Sequence, residues 1–167
     1  NKSDALAGTI PATELTASTK SGFSIVRYTG TGSNGTVAHG LTAAPKWMWI
    51  KNLSGTNDHI IYHDNLVDAT YYIALNQTAG QVQATNVFNS TDPTSTVFSV
   101  GTSSATNGSG SDYIAYCWHS VEGFSRFGQF RGNAAANGPY TECGFKPAFV
   151  IIRNRNITTQ WYSHDNV

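Results

Sequence analysis

The segment KWMWIKN, residues 46–52, decides the fold class of this chain. Successive side chains of a β-strand point to opposite faces, so Trp47 and Trp49 share one face while Met48 and Ile50 share the other. All four side chains are apolar, and a strand that is apolar on both faces is normally covered on both sides. We therefore expect a central strand of a sheet, or a strand that lies at an interface.

Similar short apolar segments flank this strand, separated by stretches rich in Gly, Asn, Asp and Pro. A spacing of about 8–12 residues between such segments is typical of a sandwich or barrel. No stretch carries the apolar stripe of an amphipathic helix. We predict an all-β fold, an antiparallel β-sandwich of jelly-roll type, with strands near residues 23–28, 36–38, 46–52, 59–63, 71–75, 81–88, 96–100 and 112–118.

Three segments of the chain recur later in the same order. GFSIVRYTG (22–30) is echoed by GFSRFGQFRG (123–132), HGLTAAPKWMWIKN (39–52) by CGFKPAFVIIRN (143–154), and IIYHDN (60–65) by WYSHDN (161–166). The period of roughly one hundred residues is the length of a domain, which indicates duplicated domains rather than a solenoid of short units.

The repeat suggests a domain organisation with three parts. Residues 1–21 are a linker or one edge strand around Leu15, residues 22–122 form the first copy, and residues 123–167 form the first part of a second copy. The second copy lacks counterparts of the strands between Tyr71 and Trp118. Half a sandwich exposes an apolar face and open edges. We expect the second copy to be completed outside this chain or by another subunit.

The amino-acid composition limits the classes of partner that the protein is expected to bind. Only 12% of the residues are charged and the formal net charge is zero, so the clustered Lys and Arg of a nucleic-acid surface are not present. No apolar run approaches the ~20 residues that span a bilayer. Cys117 and Cys143 are expected to be two small buried apolar side chains, with a single disulfide as the alternative. We therefore predict neither a nucleic-acid partner nor membrane insertion.

Tyr62-His63-Asp64 is the most enzyme-like cluster, because a histidine beside a carboxylate can act in acid–base catalysis. Neighbours in a strand point to opposite faces, so we expect His63 and Asp64 not to pair. The same residues recur as His164-Asp165-Asn166. Recurrence within a repeat favours a turn role, in which Asp and Asn bond the local backbone.

No other pattern supports chemistry. The remaining histidines lack the spacing of metal ligands, and no nucleophile motif is present. We predict no catalytic, metal or cofactor-binding residues, and no enzyme. The aromatic residues are better candidates, since large, rigid side chains are enriched at interfaces and on sugar-binding faces. The candidate interface or glycan contacts are Trp47, Trp49, Trp161 and Tyr162, and core filling is the alternative.

A family resemblance rests on several strings in order: GFSIVRYTGTGSNGTVAHGL (22–41), AAPKWMWIKN, DPTSTVFSVG (92–101), DYIAYCW (112–118) and GFSRFGQFRGN. They resemble an uncharacterised β-sandwich repeat domain of virion and tail-fibre proteins of marine tailed phages, including cyanophages. The resemblance implies a location on the virion surface and repetition along an appendage or coat. It supplies no functional residue, and Trp47 and Trp49 depart from its small or aliphatic strand.

The expected function is thus that of a non-enzymatic virion structural protein. A tail fibre, head fibre or capsid decoration would assemble through other virion subunits, as a homo-oligomer, and would take part in host attachment. The first alternative is a glycan-binding adhesin module whose partner is a host-surface glycan. The second alternative is a depolymerase that acts on host polysaccharide.

Overall fold

The computed structural model describes residues 8–166, and these residues form an all-β structure. A short helix, α1 (Ser104–Asn107), lies between the eighth and ninth strands. The strands are β1 (Ala12–Ser18), β2 (Phe23–Thr29), β3 (Gly35–Ala38), β4 (Trp47–Asn52), β5 (Ile60–His63), β6 (Tyr71–Ala74), β7 (Val82–Gln83), β8 (Val97–Val100), β9 (Asp112–Trp118), β10 (Phe149–Ile152) and β11 (Tyr162–Asp165).

Seven of these strands form one antiparallel sheet in the order β1-β2-β9-β4-β5-β6-β7. β4 lies between β5 and β9, which is the central position that KWMWIKN predicts. Of residues 1–21, assigned from the sequence to a linker or an edge strand around Leu15, residues 1–7 lie outside the described range. Ala12–Ser18 form the edge strand β1, which pairs with β2 and buries Leu15. The strand neighbours β2, β9 and β4 are far apart in sequence, so long-range pairing builds the centre of the sheet.

The hydrophobic core lies on one face of this sheet. Alternate residues of β2, β9 and β4 are buried there, and the two-stranded β3–β8 ribbon contributes Val37, Phe98 and Val100 to the same cluster. The ring centroids of Tyr28, on β2, and Phe98, on β8, are 6.1 Å apart in an edge-to-face arrangement. The ribbon therefore covers the face of the sheet that carries Val26, Tyr28, Ile50, Tyr113 and Ala115.

One predicted strand is much shorter than expected. The apolar pattern over residues 81–88 indicates a strand, but β7 ends at Gln83. Val87 and Phe88 are both buried, at 4% and 1% exposure. Consecutive residues of a strand cannot both face the core, whereas consecutive residues of a turn can. Asn89 and Ser90 continue the turn with φ of 52° and 48°.

The segments that recur in the sequence do not all have the same structure at their two positions. Residues 123–132, which echo the β2 segment, form no strand. A strand is stable only when neighbours satisfy its backbone, and no strand within residues 8–166 flanks this segment as β1 and β9 flank β2. The later segments do form a hairpin, β10–β11, which is separate from the seven-stranded sheet.

Candidate interaction surface

A row of stacked rings crosses the sheet on the face opposite the ribbon. Phe23, Trp118 and Trp47 are directly opposite one another on β2, β9 and β4. The ring centroid of Trp118 is 4.8 Å from that of Phe23 and 4.8 Å from that of Trp47. This is also the spacing of neighbouring strands, so the rings stand upright on the sheet and stack on one another. Phe127 continues the row beyond Trp47, at 6.1 Å.

A second row runs parallel to the first. The centroids of Tyr116 and Trp49 are 5.0 Å apart, and His59 stacks on the other side of Trp49 at 5.6 Å. The indole Nε1 of Trp49 is buried and has no hydrogen-bond partner among the described residues. Burial, followed by the charge of Lys51, lowers the pKa of His59, which favours the neutral ring in the stack.

Together the two rows define an aromatic face, made of Phe23, Trp47, Trp49, Tyr116 and Trp118. All five side chains are half-buried. A sugar stacks on the open face of a ring, but in these rows the inner ring faces are covered by neighbouring rings, so mainly edges point outward. The aromatic face is therefore better suited to packing against another apolar surface than to stacking on a sugar.

The other two candidate aromatic residues lie elsewhere. Trp161 Nε1 donates to the carbonyl of Ala74 at 3.3 Å, and the guanidinium of Arg153 lies 5.5 Å from the ring centroid of Trp161. Tyr162 is 62% exposed on β11. The structure thus brings Trp47 and Trp49 together, but places Trp161 and Tyr162 on the separate hairpin.

That hairpin exposes apolar side chains. We name β10, β11 and the loop between them, residues 149–165, the open hairpin. Phe149 is 61% exposed, Ile152 40%, and Ile157 in the loop 56%. Side chains of both faces of β10 are exposed, since Phe149 and Ile152 have opposite parity along the strand. Such a surface is typical of a segment that buries itself against another chain or another domain.

The loop of the open hairpin contacts residues 65–81 through hydrogen bonds. Arg155 donates from its guanidinium to the carbonyl of Asn65, and its own carbonyl accepts from Gln81 N at 2.6 Å. Thr159 N donates to Thr78 O at 2.9 Å. These contacts are mostly polar, so they position the hairpin without covering its apolar residues.

The Tyr62-His63-Asp64 cluster forms a corner at the end of β5. The side chains of His63 and Asp64 approach each other, contrary to strand alternation: His63 Nδ1 lies 3.1 Å from Asp64 Oδ1. This contact is an ion pair only when the ring is protonated, and Asp64 Oδ1 has no hydrogen-bond partner among the described residues. The reason is that β5 ends at His63, so the alternation of a strand no longer separates the two side chains. Lys46 Nζ holds the other carboxylate oxygen of Asp64 at 2.7 Å.

The electrostatics of this corner favour a structural role over acid–base catalysis. His63 Nδ1 accepts a hydrogen bond from the backbone N–H of Asn65, so the neutral ring carries no proton on the nitrogen that faces Asp64. Burial is the main cause that lowers the pKa of His63, and the nearby Asp64 opposes it. The histidine ring, rather than the Asp or Asn side chain, thus bonds the local backbone.

The repeated corner does not have the same structure. His164 and Asp165 lie within β11 and are exposed, whereas Asp64 follows the end of β5. A turn follows β5 only, and within residues 8–166 no Asp or Asn side chain of either corner bonds the local backbone, so that part of the expectation is wrong. Asn166 N bonds Ala148 O at 3.1 Å, much as Asp64 N bonds Lys46 O at 2.9 Å.

The other chemistry-bearing residues are separate from these surfaces. Cys117 is buried and free, and burial raises the pKa of its thiol to about 12. Cys143 is also free and only partly buried, so the expectation that both cysteines are buried is wrong for Cys143. Within residues 8–166, no group of three or more His, Cys, Asp or Glu could hold a metal ion. Over the same residues, no helix is long and apolar enough to cross a membrane.

Sequence reasoning missed several residues of these surfaces. Phe23, Tyr116 and Phe127 join the aromatic rows only because β2, β9 and β4 are neighbours in space. The alternation of aromatic residues in DYIAYCW indicates that they share one face of a strand. No local pattern shows which other strand this one pairs with. Arg153 and Arg155 were missed because isolated arginines in a loop are usually solvated.

Comparison with known proteins gives one match. The model of a family described as a domain of unknown function, DUF7483, matches residues 2–167. No curated protein and no solved structure matches the sequence.

Proposed function

The chain belongs to the DUF7483 family, and we propose that it is a non-enzymatic structural module of a bacteriophage particle. In this role it forms part of a fibre or capsid-surface appendage on the outside of the virion, and it assembles by burial against other virion subunits. The phage assignment rests on the sequence resemblance. The assembly role rests on one observation, the exposed apolar side chains of the open hairpin.

The proposed architecture is a β-sandwich that occurs twice along the chain. In the first copy the seven-stranded sheet is one layer and the β3–β8 ribbon belongs to the other. The matched segments β4–β5 and β10–β11 both form antiparallel hairpins. Lys51 Nζ donates to the carbonyl of Asn57, and its counterpart Arg153 donates to the carbonyl of Thr159. Both cations close the loop of their hairpin on a residue six positions ahead, which supports common descent.

Burial of the open hairpin supplies a driving force for assembly. Each Å² of apolar surface removed from water stabilises an association by roughly 25 cal/mol. Stable subunit interfaces of the obligate kind bury about 2,000 Å² or more. The open hairpin and the aromatic face are two separate apolar surfaces, so one subunit can contact more than one neighbour. This suits the repetition of a fibre or a coat.

Light scattering coupled to size-exclusion chromatography tests the assembly role. The wild-type chain is expected to form oligomers, and Phe149→Lys, which places a charge on the open hairpin, is expected to shift them toward the monomer. Val67→Lys is the matched control, because Val67 is 58% exposed on the first copy. A wild-type chain that stays monomeric at high concentration, or equal effects of the two substitutions, would refute the role of the hairpin.

Electron microscopy of phage particles tests the location. An antibody against this chain is expected to label an appendage or the capsid surface of intact virions. Detection of the protein only in the host cytoplasm would refute the virion role. Release of reducing ends from host polysaccharide by the purified protein would refute the non-enzymatic part of the proposal.

A glycan-binding adhesin is the second candidate. One observation favours it: Trp47 and Trp49 lie on one half-buried face that carries few charges, as sugar-binding faces often do. The covered ring faces make it the weaker candidate. Tryptophan fluorescence during titration with host polysaccharide separates the two roles, since a saturable change that is lost in Trp49→Ala would favour the adhesin.

A further inference from the structure

We infer that the outer edge of β10 is an acceptor site for an extended strand with the sequence pattern of β9, DYIAYCW, from another copy of the repeat. The inference rests on the duplicated architecture proposed above and specifies the edge, the partner strand and the register. It follows from the backbone of β10, from the pairing of its counterpart β4, and from the side chains that β10 exposes.

The backbone of β10 leaves one edge open. The carbonyl of Ala148 accepts from Asn166 N, so the polar groups of residue 148 point toward β11. Backbone groups alternate in direction along a strand, so the N–H and C=O of Phe149 and Ile151 point away from β11. No other strand within residues 8–166 pairs with β10. Two donors and two acceptors are therefore available on this edge.

The first copy shows what pairs with the equivalent edge. β4, the counterpart of β10, pairs with β5 on one side and with β9 on the other. Trp47 is opposite Trp118 and Trp49 is opposite Tyr116 in that antiparallel pair. With FVII matched to WMWI, a β9-type strand on β10 would place its Trp opposite Phe149 and its Tyr opposite Ile151.

The exposed side chains of β10 fit such a partner. Phe149 is 61% exposed and Ile151 38%, and both occupy the positions that Trp47 and Trp49 hold in the aromatic rows. A Trp and a Tyr on the incoming strand would stack on and cover them, as Trp118 and Tyr116 do on β4. On the other face, Met48 and Ile50 are opposite the small residues Cys117 and Ala115. In the same register, the small residues of the incoming strand would lie opposite Val150 and Ile152.

A peptide in trans tests the site on the full chain. The probe is residues 111–119 with Cys117→Ala, flanked by lysines for solubility and labelled for fluorescence anisotropy. We expect saturable binding, and slower amide hydrogen exchange at residues 149–152. The substitution Ile151→Pro removes one outward N–H and should weaken binding about 5–10-fold, since one backbone hydrogen bond is lost. Val82→Pro, on the edge strand β7, should leave binding unchanged.

Methylation of the peptide backbone gives a sharper control. Leu53 N donates to Asp112 O, so residues 112, 114, 116 and 118 direct their polar groups toward β4, and the residues between them point away. N-methylation at Tyr116 should abolish binding, whereas N-methylation at Ala115 should not. Absence of saturable binding, equal effects of the two methyl groups, or protection at Ala12–Ser18 instead of residues 149–152 would overturn the inference.

If the peptide aggregates, the β9 segment can instead be fused to the chain. Residues 67–122 appended after Val167 place a second β9 segment in the same chain, and the amides of Phe149 and Ile151 should then exchange slowly. Unchanged exchange would overturn the inference. The outcomes are separate from those of the proposed function. Oligomers that persist without peptide binding remove only this inference, and peptide binding by a protein that is absent from virions removes only the phage role.

Discussion

Asn107 is the polar side chain on which the loop before β9 depends. It is fully buried, its Nδ2 donates to the carbonyls of Ser33 and Gly101 at 2.7 Å each, and its Oδ1 accepts from Thr31 N at 2.8 Å. Asn107→Ala leaves these groups without their partner, so we expect the free energy of unfolding to fall by about 2–4 kcal/mol. Urea denaturation measures it. Asn137→Ala, at an exposed position, is the control, and an equal effect of both would contradict this role.

Buried histidines make the stability depend on pH. His39 is fully buried, its Nδ1 accepts from Leu41 N, and burial is the main cause that lowers its pKa below 6.5. The unfolded chain therefore binds protons at a higher pH than the folded chain, so stability is present above about pH 6.5 and is lost as the pH falls below it. Burial also lowers the pKa of His63, so His63 contributes to the same loss of stability at low pH.

We expect the urea midpoint to fall between about pH 7.5 and pH 5.5. In His39→Gln the drop should be smaller, because one of the groups that bind protons on unfolding is gone. His164→Gln, at an exposed position, serves as the control and should keep the full drop. A midpoint that rises as the pH falls would show that the sign is wrong.

Among the elements, the three central strands are expected to give an optical signature. Trp47 on β4 and Trp118 on β9 stack at 4.8 Å, close enough for their indole transitions to couple. We expect an exciton couplet in the circular dichroism spectrum that disappears in both Trp47→Phe and Trp118→Phe. Trp161→Phe, on the open hairpin, should retain it. A couplet that survives either of the first two substitutions would contradict the stacking.

The elements also show how far sequence reasoning reaches. Local alternation and turn residues located β2, β4, β5, β6, β8 and β9 within a few residues. The same reasoning failed for residues 84–88, where a turn buries successive residues, and gave no account of α1. It could not find the aromatic rows or the Arg155 contact. These depend on which strands and loops meet in space, and single-sequence periodicity carries no record of such pairing.

At the scale of the whole molecule, the open hairpin and the seven-stranded sheet differ in how they are stabilised. The sheet encloses a continuous core, while the hairpin exposes much of its apolar surface and is held by polar contacts of its loop. Local stability follows buried apolar contact, so the hairpin should open more readily than the sheet. Its position then depends on a few side chains, among them Arg155, whose guanidinium donates to the carbonyl of Asn65.

Arg155→Ala tests this division of the molecule. The substitution removes the guanidinium contact with Asn65, so we expect faster amide exchange across Tyr162–Asp165 and earlier proteolysis within residues 149–165. The urea midpoint of the seven-stranded sheet should stay the same, because no core residue changes. Arg131→Ala, at an exposed position, should alter neither measurement. If Arg155→Ala instead lowers the midpoint of the sheet along with the protection of the hairpin, the two parts unfold as one unit, and docking by the loop is part of the fold rather than an addition to it.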